Sequence, residues 1–146
     1  MTGTHQDFRV RYPFWTTVTI RFSDQDSTNH VNNVAFAAYI EAGRVAFGWQ
    51  HTRPLMGPGQ DLFMANLSIA YRNQVRYPGN VEVGTGIKKI GRTSITLGHA
   101  IHRDDGLLAA EAESVIVLVD RAAGKSEPIS DAIRAVLGAD ALAVKA

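Results

Sequence analysis

The stretch "FSDQDSTNHVNNVAFAAYIEAGRVAF", residues 22–47, joins a polar cluster to a regular apolar pattern. Two aspartates, a histidine and three asparagines fall within its first twelve positions. From Val34 onward, apolar residues recur with the period of a helix. Four residues with this spacing share one face of that helix: Phe36, Ile40, Gly43 and Phe47. The stretch therefore predicts a polar turn that leads into a long helix with one buried face.

Alternating apolar and polar residues predict strands on both sides of this stretch. The first strand is predicted within "TVTIRF", residues 17–22, and ends in the polar cluster. A short last helix is predicted in "PISDAIRAVL", with Ser130 as its N-cap. Five strands and one long early helix predict an α+β domain in which an antiparallel sheet packs against the helix. The four later strands are predicted near residues 62–72, 81–90, 93–103 and 108–119.

The composition excludes several classes of protein. The chain has 146 residues, which suits a single domain over residues 1–146. Its net charge of +1 gives no overall field that would attract nucleic acid or an anionic membrane. Without cysteine it has neither disulfides nor thiolate chemistry. The N-terminal residues lack a signal-peptide pattern and no apolar run approaches about 20 residues, so we expect a cytoplasmic protein with no membrane or nucleic-acid partner.

The polar cluster lies where the first strand ends and the helix begins. The first amides of a helix have no intrahelical acceptor, and the helix dipole adds positive charge there. A carboxylate beside these amides can attack a carbonyl carbon or activate water, while the amides bind the developing oxyanion. Asn29 suits a left-handed position in the turn. Asp26, within the turn, is therefore the candidate carboxylate, and Asp24 precedes it at the strand end.

Residues 22–47 resemble the signature of hot-dog-fold acyl-CoA thioesterases of the 4-hydroxybenzoyl-CoA thioesterase type. That signature is an aromatic residue, D-x-D, a turn similar to G-H-V-N-N and a helix with E-x-x-R. The resemblance extends over about residues 17–135, and Asn29 stands where many relatives have glycine. It implies a hot-dog fold, in which an antiparallel five-stranded sheet wraps around one long central helix. It also implies that subunits pair their sheets edge to edge, as a homodimer or a homotetramer.

The resemblance implies roles in the hydrolysis of an acyl-CoA thioester for particular residues. Asp26 is implied as the nucleophile or general base, and the backbone amide of Asn33 as the oxyanion donor. His30 is a further candidate base, and ordering the turn is the competing role for it. No metal or cofactor is implied, since coenzyme A is part of the substrate. Basic and hydroxyl residues are implied for the coenzyme A phosphates: Lys88 or Lys89, Arg92, Thr93 and Ser94.

Structural roles compete with these catalytic ones. Asp26 is also placed to cap the helix entry, and a hydrogen-bonding role in the turn is the favoured interpretation of Asp24. Glu41 is an alternative carboxylate, because a related thioesterase subclass uses a helix glutamate, but it can also pair with Arg44. Four residues are expected as walls of an acyl pocket: Phe36, Tyr39, Phe63 and Met64.

Two other functions stay open from the sequence. One is a non-catalytic module that binds or senses acyl-CoA. The other is a hot-dog hydratase or dehydratase, but its D-x-N-P-x-H pattern places the histidine five residues after the aspartate, whereas His30 follows Asp26 by four. The sequence does not fix the acyl group, the choice of coenzyme A or acyl carrier protein, or the nucleophilic or general-base role of the aspartate.

Overall fold

The computed structural model describes residues 7–145 of the chain. Strand β1 spans Phe14–Thr19, helix α1 spans Asn33–Phe47 and a short helix, α2, spans Asp131–Leu137. The five long strands form an antiparallel sheet in the order β1, β3, β4, β5, β2, and the two-residue β6 pairs with β5. The other strands are β2 (Gln60–Tyr71), β3 (Asn80–Ile90), β4 (Ser94–Arg103), β5 (Leu108–Asp120) and β6 (Lys125–Ser126).

Helix α1 packs on the inner face of the sheet through the face that its sequence predicts. Phe36, Ile40 and Phe47 are buried there, each at most 3% exposed. Gly43 permits the closest approach, because a Cβ at this position would lie 2.6 Å from Cγ1 of Val83 on β3, well inside carbon–carbon contact distance. The predicted antiparallel sheet around one long helix is confirmed.

Two apolar clusters fill the space between helix and sheet, one near each end of α1. The cluster near the helix start includes Val31, Phe36 and Ile101. The cluster near the helix end includes Phe47 and Ile95, and α2 packs onto it. Each end of α1 is therefore fixed against the sheet, which gives the loop before the helix a rigid support.

The first strand lies earlier in the chain than its sequence predicts. Strand β1 spans Phe14–Thr19 rather than residues 17–22. Phe22–Asp24 instead form a short 3-10 turn, because the carboxylate of Asp24 accepts a hydrogen bond from the Arg21 N–H and turns the chain away from the sheet. The alternating pattern over residues 17–22 therefore overestimates the length of the strand.

The helices begin where they are predicted to begin. Ser130 is the N-cap of α2, and its Oγ accepts a hydrogen bond from the Ile133 N–H at 3.2 Å. Helix α1 ends at Phe47, the last residue of its predicted apolar face, and the chain continues directly as a π-helical turn over Gly48–Thr52. No helix within residues 7–145 is long and apolar enough to cross a bilayer. The single domain predicted over residues 1–146 stays a prediction, since its ends lie outside the described residues.

Candidate functional site

The polar cluster folds into a compact loop between β1 and α1. Gln25 and Val31 pair as an isolated antiparallel bridge, and the Asn32 N–H donates to the carbonyl of Asp24 at 2.9 Å. Asn29 lies in the left-handed region, with φ at 61°, a conformation that asparagine adopts at low cost. The loop therefore presents its central side chains on a fixed backbone.

Asp24 is the buried carboxylate of this loop, at 3% exposure. Its Oδ2 accepts hydrogen bonds from the Arg21 N–H at 2.9 Å and from the Tyr39 hydroxyl at 2.7 Å, and its Oδ1 accepts one from Arg21 Nε at 3.1 Å. Burial alone would raise the pKa of Asp24, but these hydrogen bonds and the arginine charge hold the pKa below its ordinary value. Both oxygens are occupied, which agrees with the structural role predicted for Asp24.

Asp26 is the exposed carboxylate of the loop. Its Oδ1 accepts hydrogen bonds from the Thr28 hydroxyl at 2.5 Å and from the Thr28 N–H at 2.8 Å. These two bonds, the hydroxyl first, lower the pKa of Asp26 below its ordinary value, so the carboxylate is ionised at neutral pH. The His30 backbone N–H is a further, smaller cause of the lowered pKa of the Asp26 carboxyl, but within residues 7–145 the hydrogen bonds that this carboxylate accepts at normal distances both go to Oδ1. Asp26 Oδ2 is therefore the less restrained oxygen of an exposed, charged carboxylate.

His30 belongs to the same loop. Its Nδ1 lies 3.1 Å from Thr28 Oγ1, and its carbonyl accepts a hydrogen bond from the Asp26 N–H at 2.9 Å. Its Nε2 is buried, and in the described part of the chain it has no hydrogen-bond partner. The imidazole therefore reaches the carboxylate only through Thr28, which supports the turn-ordering role for His30 over that of a base.

The start of α1 supplies an amide beside this carboxylate. Asn32 caps the helix, and its Oδ1 accepts a hydrogen bond from the Ala35 N–H at 2.7 Å. The N–H of Asn33 precedes the first intrahelical bond, and it donates to no acceptor within residues 7–145. The Asn33 carbonyl accepts a hydrogen bond from the Tyr71 hydroxyl at 3.2 Å. An amide at the positive end of the helix dipole is thus available to an oxyanion.

A cavity of about 280 Å³ opens between the loop, the start of α1 and the end of β2. Three predicted site residues line it, namely Asp26, His30 and Asn33. Thr28 is a lining residue to which the sequence interpretation assigns no role, although a hydroxyl two residues after an aspartate has the spacing of a side-chain-capped turn. The other lining residues are Val31, Phe36, Tyr71, Arg72, Asn73 and Gln74.

The predicted coenzyme A residues lie at the opposite end of α1. Arg92 and Thr93 lie in the turn between β3 and β4, while the two lysines belong to the end of β3 and Ser94 begins β4. Ile95, the next residue of β4, packs in the same cluster as Phe47 at the helix end. The 15 residues of α1 span about 22 Å at 1.5 Å per residue. A single chain therefore does not bring Asp26 together with Arg92, Thr93 and Ser94.

The basic side chains near this turn differ in their surroundings. Lys88 forms an ion pair with Glu113 on β5, while Lys89 is exposed beyond a bulge in β3. Arg92 is exposed, and its carbonyl accepts a hydrogen bond from the Ile129 N–H at 2.8 Å. Lys89 and Arg92 are thus better placed than Lys88 to meet a phosphate group.

Glu41 lies on the outer side of α1, away from the cavity that contains Asp26. Its Oε2 is 3.6 Å from Arg44 Nη2, and its side chain is 67% exposed. The expected ion pair with Arg44 is therefore present, but it is a weak, solvent-screened contact. Within residues 7–145 no three histidine, aspartate or glutamate side chains are grouped as a metal site.

The residues expected as acyl-pocket walls fall into two groups. Phe36 and Tyr39 are each 3% exposed, and the Tyr39 hydroxyl is bonded to Asp24. Tyr39 is therefore part of the core, while Phe36 reaches the cavity wall. Phe63 and Met64, in contrast, are exposed on β2.

Several known proteins are similar to this chain. A predicted thioesterase from Bacillus stearothermophilus is 33% identical over 91% of this chain and 98% of that one, with a TM-score of 0.80. A thioesterase from Thermus thermophilus, solved in complex with coenzyme A and zinc, is 27% identical over 88% of this chain and 99% of that one, with a TM-score of 0.77. The uncharacterized protein YsmA of Bacillus subtilis (strain 168) is 23% identical over 126 residues, which is 86% of each chain.

The family model of the thioesterase-like superfamily matches residues 20–137. That range begins just after β1, ends with α2 and includes the loop that contains Asp26 and Asn33. The match does not distinguish the narrower 4-hydroxybenzoyl-CoA thioesterase type, which stays a prediction. The chain belongs to the thioesterase-like superfamily, and its antiparallel sheet around one long helix is the hot-dog fold.

Proposed function

We propose that the protein hydrolyses an acyl-CoA thioester to a free acid and coenzyme A, with Asp26 as its catalytic carboxylate. One observation carries the proposal: a free, ionised oxygen of Asp26 and a free amide of Asn33 belong to the wall of one cavity. A thioester bound between them meets a negative group at its carbonyl carbon and a donor at its carbonyl oxygen. Membership in the thioesterase-like superfamily supports the same reaction.

Two routes use this pair of groups. In the first, Asp26 takes a proton from water while the water oxygen bonds to the carbonyl carbon; the C–S bond then breaks and the thiolate of coenzyme A takes that proton. In the second, the Asp26 oxygen bonds to the carbonyl carbon, the thiolate leaves and water hydrolyses the resulting anhydride. The Asn33 amide stabilises the oxyanion in both. Both routes need the ionised carboxylate, which the lowered pKa of Asp26 supplies at neutral pH.

Coenzyme A is the proposed carrier of the acyl group. The similar thioesterase from Thermus thermophilus was solved with coenzyme A bound. In this chain the exposed side chains of Lys89 and Arg92 suit phosphate groups. Because they lie at the far end of α1 from Asp26, this assignment requires a second subunit.

The second subunit is proposed to pair along β2. This strand is a 12-residue edge of the sheet, and an unpaired edge is a template for another strand. Two large apolar side chains on it are exposed, Phe63 at 65% and Met64 at 38%. A groove of about 260 Å³ runs between β2 and the outer face of α1, and small or apolar residues such as Val34, Ala37 and Ala38 line it. A second copy of the chain would cover both surfaces.

The direction of this pairing follows from symmetry. A two-fold axis perpendicular to the sheet at the β2 edge extends the sheet across both subunits and makes the two strands antiparallel, so the start of one β2 lies beside the end of the other. Tyr71, the last residue of β2, contacts Asn33. Leu62, near its start, pairs with Leu118, whose N–H donates to the Thr93 carbonyl at 2.9 Å. Pairing therefore brings the active loop of one chain towards the β3–β4 turn of the other.

The proposed site is thus shared between two subunits. Three strand spacings, about 14 Å, separate Tyr71 of one chain from the β3–β4 turn of its partner. An extended ligand can bridge this gap, with its thioester at Asp26 and its phosphates at the partner subunit's Arg92. A dimer is sufficient for this arrangement.

The proposal is tested by free-thiol release from a panel of acyl-CoA thioesters that carry short, medium, long and aryl acyl groups. Wild type is expected to release thiol from at least one member, and Asp26→Asn to lower its turnover by about a hundredfold or more. Asp140→Asn, an exposed aspartate outside the cavity, is the matched control and is expected to keep wild-type turnover.

Other outcomes point to the alternative functions. Binding of acyl-CoA without thiol release by a folded dimer would indicate the binding module. Addition of water to an unsaturated acyl-CoA without thiol release would indicate a hydratase. Equal thiol release by Asp26→Asn and wild type would remove Asp26 from the proposal.

A further inference from the structure

Asp26, Thr28 and His30 form a continuous hydrogen-bonded chain within the loop. Thr28 is its centre, because its Oγ1 lies 2.5 Å from Asp26 Oδ1 and 3.1 Å from His30 Nδ1. Its backbone N–H also donates to Asp26 Oδ1, at 2.8 Å. One residue therefore supplies both hydrogen bonds that this oxygen receives.

The position of each proton follows from the donors and acceptors. An ionised carboxylate only accepts hydrogen bonds, so the single proton of the Thr28 hydroxyl points to Asp26. The Thr28 oxygen must then accept from His30, which requires the proton of the neutral imidazole to be on Nδ1. Nε2 is left as the unprotonated nitrogen of the ring. It is buried and unpartnered within residues 7–145, so it does not face the substrate.

We propose that Thr28 is a positioning residue, which holds Oδ1 of Asp26 and leaves Oδ2 as the oxygen that reacts. His30 acts through Thr28, because its Nδ1–H fixes the direction of the threonine hydroxyl. This inference rests on the proposed hydrolysis and specifies which atom of Asp26 performs it.

Removal of the Thr28 hydroxyl has two expected consequences. The carboxylate keeps one hydrogen bond instead of two, so it rotates more freely and Oδ2 spends less time in the reactive position. The hydroxyl is also the largest single cause of the lowered pKa of Asp26, so its loss raises that pKa. The other titratable or charged side chains that line the cavity, His30, Tyr71 and Arg72, stay in place.

The test compares three variants with wild type. Thr28→Val keeps the backbone N–H and the side-chain shape but lacks the hydroxyl. We expect its kcat to fall about tenfold with KM within about twofold, and the acid limb of its kcat/KM profile to move to higher pH. Thr28→Ser restores the hydroxyl and is expected to regain kcat within about threefold and the wild-type acid limb. Ser27→Ala, which removes the adjacent exposed hydroxyl, is the control and should match wild type.

A second measurement does not depend on activity. In wild type labelled with ¹⁵N-histidine, the ring nitrogen shifts of His30 should report the proton on Nδ1. In Thr28→Val this preference should be lost, because the acceptor that fixes it is gone. His30→Ala provides the assignment of the signals.

The outcomes separate this inference from the proposed function. If wild type hydrolyses thioesters and Asp26→Asn does not, a Thr28→Val variant with wild-type kcat and acid limb overturns the positioning role alone. A wild-type His30 that is protonated on Nε2 also overturns it. If wild type hydrolyses no thioester, the proposed function fails and the positioning role of Thr28 fails with it, whatever the tautomer of His30.

Discussion

Asp24 and Asp26 are two residues apart in one loop, yet the fold gives them opposite surroundings. Asp24 is buried, and three donor groups from Arg21 and Tyr39 occupy both of its oxygens. Asp26 is exposed, and Thr28 occupies only one of its oxygens. The pKa is lowered in both, so charge alone does not distinguish them. The proposed catalytic role of Asp26 rests on this difference, since only Asp26 has an oxygen exposed to an open cavity.

The two aspartates are also expected to differ in what they contribute, Asp24 to the stability of the fold and Asp26 to the reaction. Asp24 connects the loop to the core of the protein, because Tyr39 belongs to the buried face of α1. Asp26 bonds only within the loop, so its removal leaves the core contacts intact. Substitution of Asp24 is therefore expected to affect folding, and substitution of Asp26 to affect turnover.

The largest effect on stability is expected for Asp24→Asn. The neutral amide loses the charge that strengthens hydrogen bonds from Arg21 and Tyr39, and hydrogen bonds to charged groups contribute about 1.5–3 kcal/mol. We expect the free energy of unfolding to fall by about 2 kcal/mol, measured by urea denaturation at neutral pH. Asp26→Asn is the matched control and should destabilise the protein much less, because its carboxylate is exposed and bonds only within the loop. Equal destabilisation by the two variants would contradict the comparison.

The pH dependence of stability tests the same contacts. The pKa of Asp24 is lower in the folded protein than its ordinary value of 3.8. The stabilisation that it provides is therefore complete above that value and is lost as the pH falls through its folded pKa. As the pH falls below about 4, the free energy of unfolding of wild type should therefore fall more steeply than that of Asp24→Asn. Parallel curves would remove Asp24 as a source of this dependence.

An intermediate effect is expected for Arg92→Glu, which tests whether Asp26 works with a residue of the partner subunit. The reversed charge should raise KM for acyl-CoA about tenfold through repulsion of phosphate. Mixed dimers of Arg92→Glu and Asp26→Asn chains regain one site with both native residues. At acyl-CoA concentrations well below KM, an activity of the mixture above that of either parent would support the shared site.

The control for the mixing experiment is a second pair of variants. Asp26→Asn mixed with wild type should lose activity only in proportion to the altered chains. If the Arg92→Glu and Asp26→Asn mixture shows no gain, although chains exchange, the site lies within one subunit or Arg92 has no part in it.

The smallest effect is expected for Tyr39→Phe. This substitution keeps the buried ring but removes one donor from Asp24, whose Oδ2 still accepts the Arg21 N–H. A loss of about 1 kcal/mol in the free energy of unfolding is expected, with unchanged kcat. A large loss of kcat would instead connect Asp24 to the chemistry.

The sequence predicts the helix and most of the sheet because these follow from periodic burial. Phe36, Ile40, Gly43 and Phe47 are spaced so that one face of a helix is apolar, and that face is the one packed against the sheet. The early end of β1 is less predictable. The hydrogen bond that Asp24 accepts from the Arg21 N–H turns the chain away from the sheet. Strand β1 therefore ends at Thr19, although apolar and polar residues alternate up to Phe22.

The candidate site is predictable only in part. A local motif places Asp26, His30 and Asn33 in adjacent turns, so one cavity contains all three. Arg92 is far from Asp26 in the sequence, and its position relative to Asp26 depends on the fold and on the pairing of subunits. The role of Thr28 depends on a side-chain rotamer, which residue spacing does not determine.

The most direct test of the central claim is a single-turnover measurement of thiol release with enzyme in excess over acyl-CoA. This measurement isolates the chemical step from product release. We predict that Asp26→Asn lowers its rate about a hundredfold or more, whereas Asp24→Asn, corrected for its folded fraction, stays within about threefold of wild type. A wild-type rate for Asp26→Asn, or an equal loss in both variants, would contradict the assignment of Asp26 as the catalytic carboxylate.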